Sequence, residues 1–279
     1  MSRKLGIMQG RLSPPINGSI QSFPKKTWKD EFNIAKSLGF KTIEWVFDSD
    51  DNPILDDERL LEITKISQSF SIEINSVCAD YFMKNRLFGE PENIIKKNLD
   101  VFFKLIKNCH QLGIKIIEVP LVDESSIRDL NDQKEFEINL KQIIVIAKNF
   151  DIIIALETDL DANRLKDWIL KINHPNIKLN YDIGNSTACK FNVQEEWELL
   201  HKWIINVHVK DRVFGGNTVP LGSGDANFES FFKLLIQKKY EGDLILQGAR
   251  EDLVNNKILP SETNKKYLDF VNQYLDKYQ

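Results

Sequence analysis

Ile152-Ile153-Ile154-Ala155-Leu156-Glu157 is a short apolar run that closes on a carboxylate, and its pattern recurs downstream. Ile177-Lys178-Leu179-Asn180-Tyr181-Asp182, Ile204-Ile205-Asn206-Val207-His208 and Leu244-Ile245-Leu246-Gln247 likewise end on a residue able to ligate a metal. Short, nearly continuous apolar runs read as strands covered on both faces. Residues so far apart in the chain meet only if these strands are neighbours in one sheet.

Working outward, the same kind of run appears at Leu5–Gln9, Thr42–Phe47, Ile72–Val77 and Ile114–Val119. With Ile152–Glu157, Ile177–Asp182, Ile204–Val209 and Leu244–Gln247, that makes eight strand candidates. Helical periodicity lies between them, at Trp28–Leu38, Asp57–Phe70, Glu92–Leu112, Gln133–Asn149, Asp161–Leu170, Val193–Leu200, Phe228–Lys238 and Ser261–Tyr278. Gly39 and Gly113 follow two of these as C-terminal stops. Strict strand–helix alternation over about 250 residues predicts a parallel (β/α)8 TIM barrel in the α/β class. A single domain over residues 1–279 is expected, because no linker or low-complexity tract interrupts the pattern. An open dinucleotide-binding sheet is disfavoured, since Gly10-Arg11-Leu12-Ser13-Pro14-Pro15 after the first strand cannot form the Gly-x-Gly-x-x-Gly cradle.

Composition narrows the functional classes. The 279 residues are 42% hydrophobic and 28% charged, with a formal net charge of -4. An acidic balance gives no general attraction to nucleic acid or anionic membrane. Apolar runs fall short of the roughly 18 residues that a membrane span needs. Cys78, Cys109 and Cys189 are odd in number and widely spaced, which argues against a disulfide framework and fits a reducing, cytoplasmic setting.

In a parallel barrel the carboxyl ends of the strands share one mouth, where active sites sit. Glu157, Asp182, His208 and Gln247 would end the fifth to eighth strands and face one another there. Two carboxylates, an imidazole and an amide oxygen form a mostly hard donor set for one divalent metal. Mn²⁺ is the first choice, and Mg²⁺, Co²⁺ or Zn²⁺ are admissible. Arg11, after the first strand, reads either as an anchor for a carboxylate, phosphate or hydroxyl of the substrate or as a surface salt bridge, and Arg250, in the last loop, as a positive charge at the mouth. Glu44 could bond a substrate hydroxyl, and Trp45 either stacks on the substrate or packs in the core. Glu118 is placed at the end of the fourth strand, and Lys210 on the side of His208.

Several stretches, in order, are similar to the xylose isomerase-like barrels of the sugar phosphate isomerase/epimerase group. They are Leu5-Gly6-Ile7-Met8-Gln9-Gly10-Arg11-Leu12, Ala155-Leu156-Glu157, Tyr181-Asp182-Ile183-Gly184-Asn185, Val207-His208-Val209-Lys210-Asp211-Arg212 and Pro220-Leu221-Gly222-Ser223-Gly224-Asp225. The resemblance implies metal ligation by Glu157, Asp182 and His208, and a sugar or sugar phosphate as substrate. Glu157 and Lys210 are then the catalytic candidates. Gln9, Arg11, Glu44, Asn185, Arg212 and Arg250 are the candidates for substrate binding. Such barrels often pair as homodimers, and no sequence feature decides this.

Two departures from the family pattern shape the chemistry. The group usually carries a second glutamate where this chain has Gln247, and often a histidine where it has Asn185. Gln247 cannot exchange a proton at useful pH. An isomerisation or dehydration needing one base on one face stays open, as does a degenerate sugar-binding member without turnover. A two-base epimerisation requires another acid, with Lys210 a candidate. A phosphodiesterase with a histidine-rich zinc cluster is disfavoured, because His208 alone of four histidines falls at a strand end.

Overall fold

The computed structural model describes residues 3–253 and 258–278. Its barrel strands are β1 (Leu5–Met8), β2 (Thr42–Val46), β3 (Ser76–Cys78), β4 (Ile116–Leu121), β5 (Ile153–Thr158), β6 (Ile177–Asp182), β7 (Ile204–Val209) and β8 (Asp243–Leu246). Each pairs in parallel with its sequence neighbours, and β1 closes on both β2 and β8. The TIM barrel expected from the alternation is therefore the fold.

The helices are α1 (Trp28–Leu38), α2 (Leu60–Phe70), α3 (Tyr81–Lys84), α4 (Glu92–Leu112), α5 (Leu130–Asn149), α6 (Ala162–Ile172), α7 (Ile183–Ala188), α8 (Val193–Leu200), α9 (Phe228–Gln237) and α10 (Pro260–Tyr278). Their apolar faces pack on the barrel wall. Trp28, Phe32, Phe102, Phe136, Trp197 and Phe231 are all essentially buried there. Among the described residues no helix is long and apolar enough to cross a membrane.

Three details differ from the sequence reading. β3 begins at Ser76, four residues late, because Glu73 makes only an isolated bridge to Thr42 before the ladder forms. β4 runs on through Pro120 to Leu121, so Glu118 lies mid-strand and not at its end. Trp45 is fully buried against Phe23 and Trp28 and donates to Asn52 Oδ1 at 2.9 Å, so it packs in the core and does not face the mouth.

Two long loops at the mouth are each held by one buried carboxyl group. After β1, Glu31 of α1 accepts the backbone N–H groups of Gly10 and Leu12, both at 3.0 Å. After β7, the chain forms a two-residue ladder, Asp211–Arg212 against Thr218–Val219. Asp211 accepts N–H bonds from Gly222 at 2.8 Å, Gly224 at 2.9 Å and Ala226 at 3.2 Å. A Cβ at Gly224 would lie 2.3 Å from Asp211 Oδ1. Gly224→Ala is therefore expected to lower stability by about 2 kcal/mol or more, as for other losses of a buried hydrogen-bond network. Thermal denaturation checks this, and an unchanged midpoint would show that the loop is not pinned this way.

Burial pushes the Glu31 carboxyl up to about 7, against the lowering effect of its N–H donors. An unfolded glutamate titrates near ~4.3. Between these values the folded chain keeps a proton that the unfolded chain has lost, so stability falls as pH rises through that window. The loss is expected to be on the order of 3 kcal/mol at ~1.4 kcal/mol per pH unit. Urea midpoints measured from pH 5 to pH 8 check the sign, and Glu31→Gln should flatten the slope.

Candidate metal and sugar site

Strand alternation turns Glu157, Asp182 and His208 inward at the carboxyl ends of β5, β6 and β7. One ligand atom from each lies within 4.8 Å of the others, and all three residues are buried. His208 Nδ1 is 3.0 Å from Glu157 Oε2 and 3.9 Å from Asp182 Oδ2. Its Nε2 lies 2.7 Å from Glu44 Oε2, which reaches across the barrel from β2. Glu44 Oε1 in turn accepts from Asn206 at 2.8 Å. A carboxylate on the far nitrogen is the arrangement that fixes a metal-binding imidazole in one orientation.

Burial alone would push the His208 pKa down. The carboxylates of Glu44 and Glu157 outweigh it and hold the ring well above the ordinary histidine value. Asn180 donates to Glu157 Oε2, and Asn185 donates to Glu157 Oε1 at 2.7 Å. Asp182 Oδ1 caps α7 by accepting Asn185 N–H at 2.8 Å, while Oδ2 lies 2.6 Å from Lys210 Nζ. The short α7 was not anticipated, since six residues containing Gly184 give no helical periodicity.

Gln247 follows the last residue of β8. Its Nε2 donates to Gln21 Oε1 at 2.7 Å, and its buried Oε1 has no hydrogen-bond partner among the described residues. An orphaned amide oxygen on the cavity that Glu157 and His208 also line fits a hard divalent cation. The buried Glu–Asp–His group could thus hold a metal ion.

A cavity of 540 Å³ opens over these residues, bordered by Glu157, His208, Lys210, Asn185 and Gln247. Glu118 also borders it. Glu118 is fully buried, and neither of its carboxyl oxygens has a hydrogen-bond partner among the described residues. Burial, with Glu157 close by, pushes its pKa well up.

The remaining sequence candidates lie elsewhere. Gln9 is buried and accepts Val46 N–H at 3.1 Å, so it braces β2. Glu44 sits behind His208, not on the cavity wall, so its carboxylate is committed to the ring and not to a sugar hydroxyl. Arg11 is buried and bonds the Ile20 carbonyl and Gln21 Oε1. Arg250 bonds the Gly10 and Ser13 carbonyls and Asp252. Arg212 bonds the Gly216 carbonyl at 2.8 Å and Asn185 Oδ1 at 2.9 Å, which aims Asn185 at Glu157. None of these three guanidinium groups borders the cavity.

A family model described as a xylose isomerase-like TIM barrel matches residues 32–269. The chain belongs to this family. Among relatives of the xylose isomerase-like barrel, L-ribulose-5-phosphate 3-epimerase UlaE of Salmonella paratyphi C (strain RKS4594) is 27% identical over 242 residues, 82% of this chain and 84% of the relative. Among solved structures, the IOLI protein with a binding zinc atom superposes with a TM-score of 0.79 at 17% identity, over 99% of each chain. D-psicose 3-epimerase of Clostridium cellulolyticum H10, solved with D-tagatose, gives 0.78 at 15% identity, over 98% of this chain and 99% of that one. At such identities the two structures show the shared fold.

Proposed function

We propose that this xylose isomerase-like barrel is a divalent-metal-dependent isomerase or epimerase that moves a proton next to the carbonyl of a sugar through an enediolate. The observation that carries this is the convergence of Glu157, Asp182 and His208 within 4.8 Å at the barrel mouth. The name of the 27%-identical relative, a ribulose phosphate 3-epimerase, supports the same chemical class.

Glu157, Asp182 and His208 would hold the ion, with Gln247 Oε1 as a fourth donor, and Mn²⁺ suits this oxygen-rich set best. When bound, it supplies a Lewis acid that polarises the substrate carbonyl and hydroxyl oxygens. Glu157 is the base for the α-proton, its carboxylate aimed by Asn180 and Asn185. Lys210, fixed beside Asp182, brings an ammonium group to the cavity where negative charge develops on substrate oxygen. Glu118 offers unpartnered carboxyl oxygens to a substrate hydroxyl.

Gln247 is a neutral amide bonded to Gln21, so the two-glutamate route is closed at that position. One-base isomerisation is the reaction this arrangement supports best. Epimerisation would use Glu118 or Lys210 as the second acid.

Metal titration of the stripped protein tests the reading. One Mn²⁺ per chain is expected, and none in an Asp182→Asn variant that stays folded. A folded, metal-replete variant would remove Asp182 from the site. A wild type that takes up no divalent ion would sink the proposal. With the metal loaded, solvent deuterium should enter a ketose at the carbon next to its carbonyl.

A further inference from the structure

From the charges around the cavity and the occupied N–H groups of the loops after β1 and β7, we infer that the substrate is an uncharged ketose, carrying hydroxyls and no phosphate. This inference rests on the functional reading above and names its substrate class. It departs from what the name of the 27%-identical relative would suggest.

Barrels that take phosphate esters commonly bind the phosphate through backbone N–H groups of the loops after the seventh and eighth strands. Here the glycine-bearing loop after β7 already holds an anion of its own. Asp211 occupies the N–H groups of Gly222, Gly224 and Ala226. The neighbouring loop after β1 is filled in the same way, Glu31 taking the N–H groups of Gly10 and Leu12. Arg250, in the loop after β8, is bonded to the Gly10 and Ser13 carbonyls and to Asp252. Arg212 is engaged by Asn185 and the Gly216 carbonyl, and Arg11, whose buried Nε has no partner among the described residues, bonds Ile20 and Gln21 and does not border the cavity.

The cavity wall adds a second, independent argument. Asp48, Asp80, Glu118, Asp123, Glu124 and Glu157 border it, against the basic side chains of Lys84, Lys210 and His208 among the described residues, the last already held between Glu44 and Glu157. Lys210 is already paired with Asp182 at 2.6 Å. That leaves Lys84, exposed at the rim, facing the exposed carboxylates of Asp123 and Glu124. A phosphate dianion entering here meets the rim carboxylates and finds no free fork of donors among the described residues. A polyol fits, because its hydroxyls donate to the unpartnered oxygens of Glu118 as readily as they accept from Lys210 and Asn185, without needing the rim pair Asp123 and Glu124.

The experiment measures binding of 2-ketopentoses, 2-ketohexoses and their terminal phosphate esters to the Mn²⁺-loaded protein by calorimetry and saturation-transfer NMR. A free ketose is expected to bind at least about tenfold tighter than its phosphate ester, a difference of roughly 1.4 kcal/mol. In an Asp123→Lys, Glu124→Lys double variant the ester should gain about tenfold while the free sugar is unchanged, since rim charges tune partner choice. An ester that binds wild type tighter than its parent sugar overturns the inference, and so does failure of every free ketose to bind. The metal titration is separate, so loss of the inference leaves the metal site standing. Ketose binding without metal uptake or proton exchange would instead reject the catalytic reading and keep the substrate class.

Discussion

Glu118→Leu is expected to make the protein more stable and the enzyme much slower. The native side chain is fully buried on β4, with both carboxyl oxygens unpartnered among the described residues. An unsatisfied buried polar group costs about 1–3 kcal/mol, and replacing it with an apolar side chain of similar size recovers that. Urea denaturation of the metal-free variant should show this gain. Turnover should move the opposite way. If Glu118 bonds the substrate in the cavity, losing one pre-aligned group costs roughly 10²–10³ in kcat. A purely structural role predicts the reverse pattern, with lower stability and unchanged kcat on the remaining folded enzyme. The two measurements together therefore decide what the side chain is for.

The second large effect is expected at Glu44, which touches no substrate. Its Oε2 sits 2.7 Å from His208 Nε2, and its Oε1 is anchored by Asn206. Glu44→Gln keeps the shape but removes the charge that orients the ring and makes its other nitrogen a better donor. Loss of such a partner typically weakens metal affinity about 10–100-fold. Mn²⁺ titration of Glu44→Gln should show a shift in that range with circular dichroism unchanged. Affinity equal to wild type would mean that His208 needs no partner, or is not a ligand. The new side chain can keep its Oε1 on Asn206 Nδ2 as Glu44 does, so the fold should tolerate Glu44→Gln.

Reading the chain alone reaches the barrel because strand and helix patterns alternate without a break. It brings Glu157, Asp182 and His208 to one place because strand ends in a parallel barrel share a rim. Glu118 is harder to place, since Pro120 reads as a stop while β4 in fact continues past it to Leu121. The arginines are harder still. Arg11 and Arg250 look like anion anchors by type and position, yet their partners are the carbonyls of Ile20, Gly10 and Ser13. Which carbonyl a loop presents depends on the path of the whole loop, and no local pattern of residue types encodes it. Glu44 reaches His208 at a separation of 164 residues, a contact that exists only after the barrel has closed.

The loops after β1 and β7 are tied to the barrel by the buried carboxyl groups of Glu31 and Asp211, with Leu12, Phe23 and Leu221 packed into the core. Each tether fixes where its loop leaves the barrel, and residues 16–20 and 214–217 lie largely exposed beyond it. Those exposed residues can lengthen, shorten or change character without disturbing the wall that carries Glu157 and His208. For an engineer this divides the mouth into a frame and two exchangeable flaps. Grafted loops that keep the Glu31 and Asp211 attachment points are the natural route to a barrel of altered selectivity on an intact reaction centre.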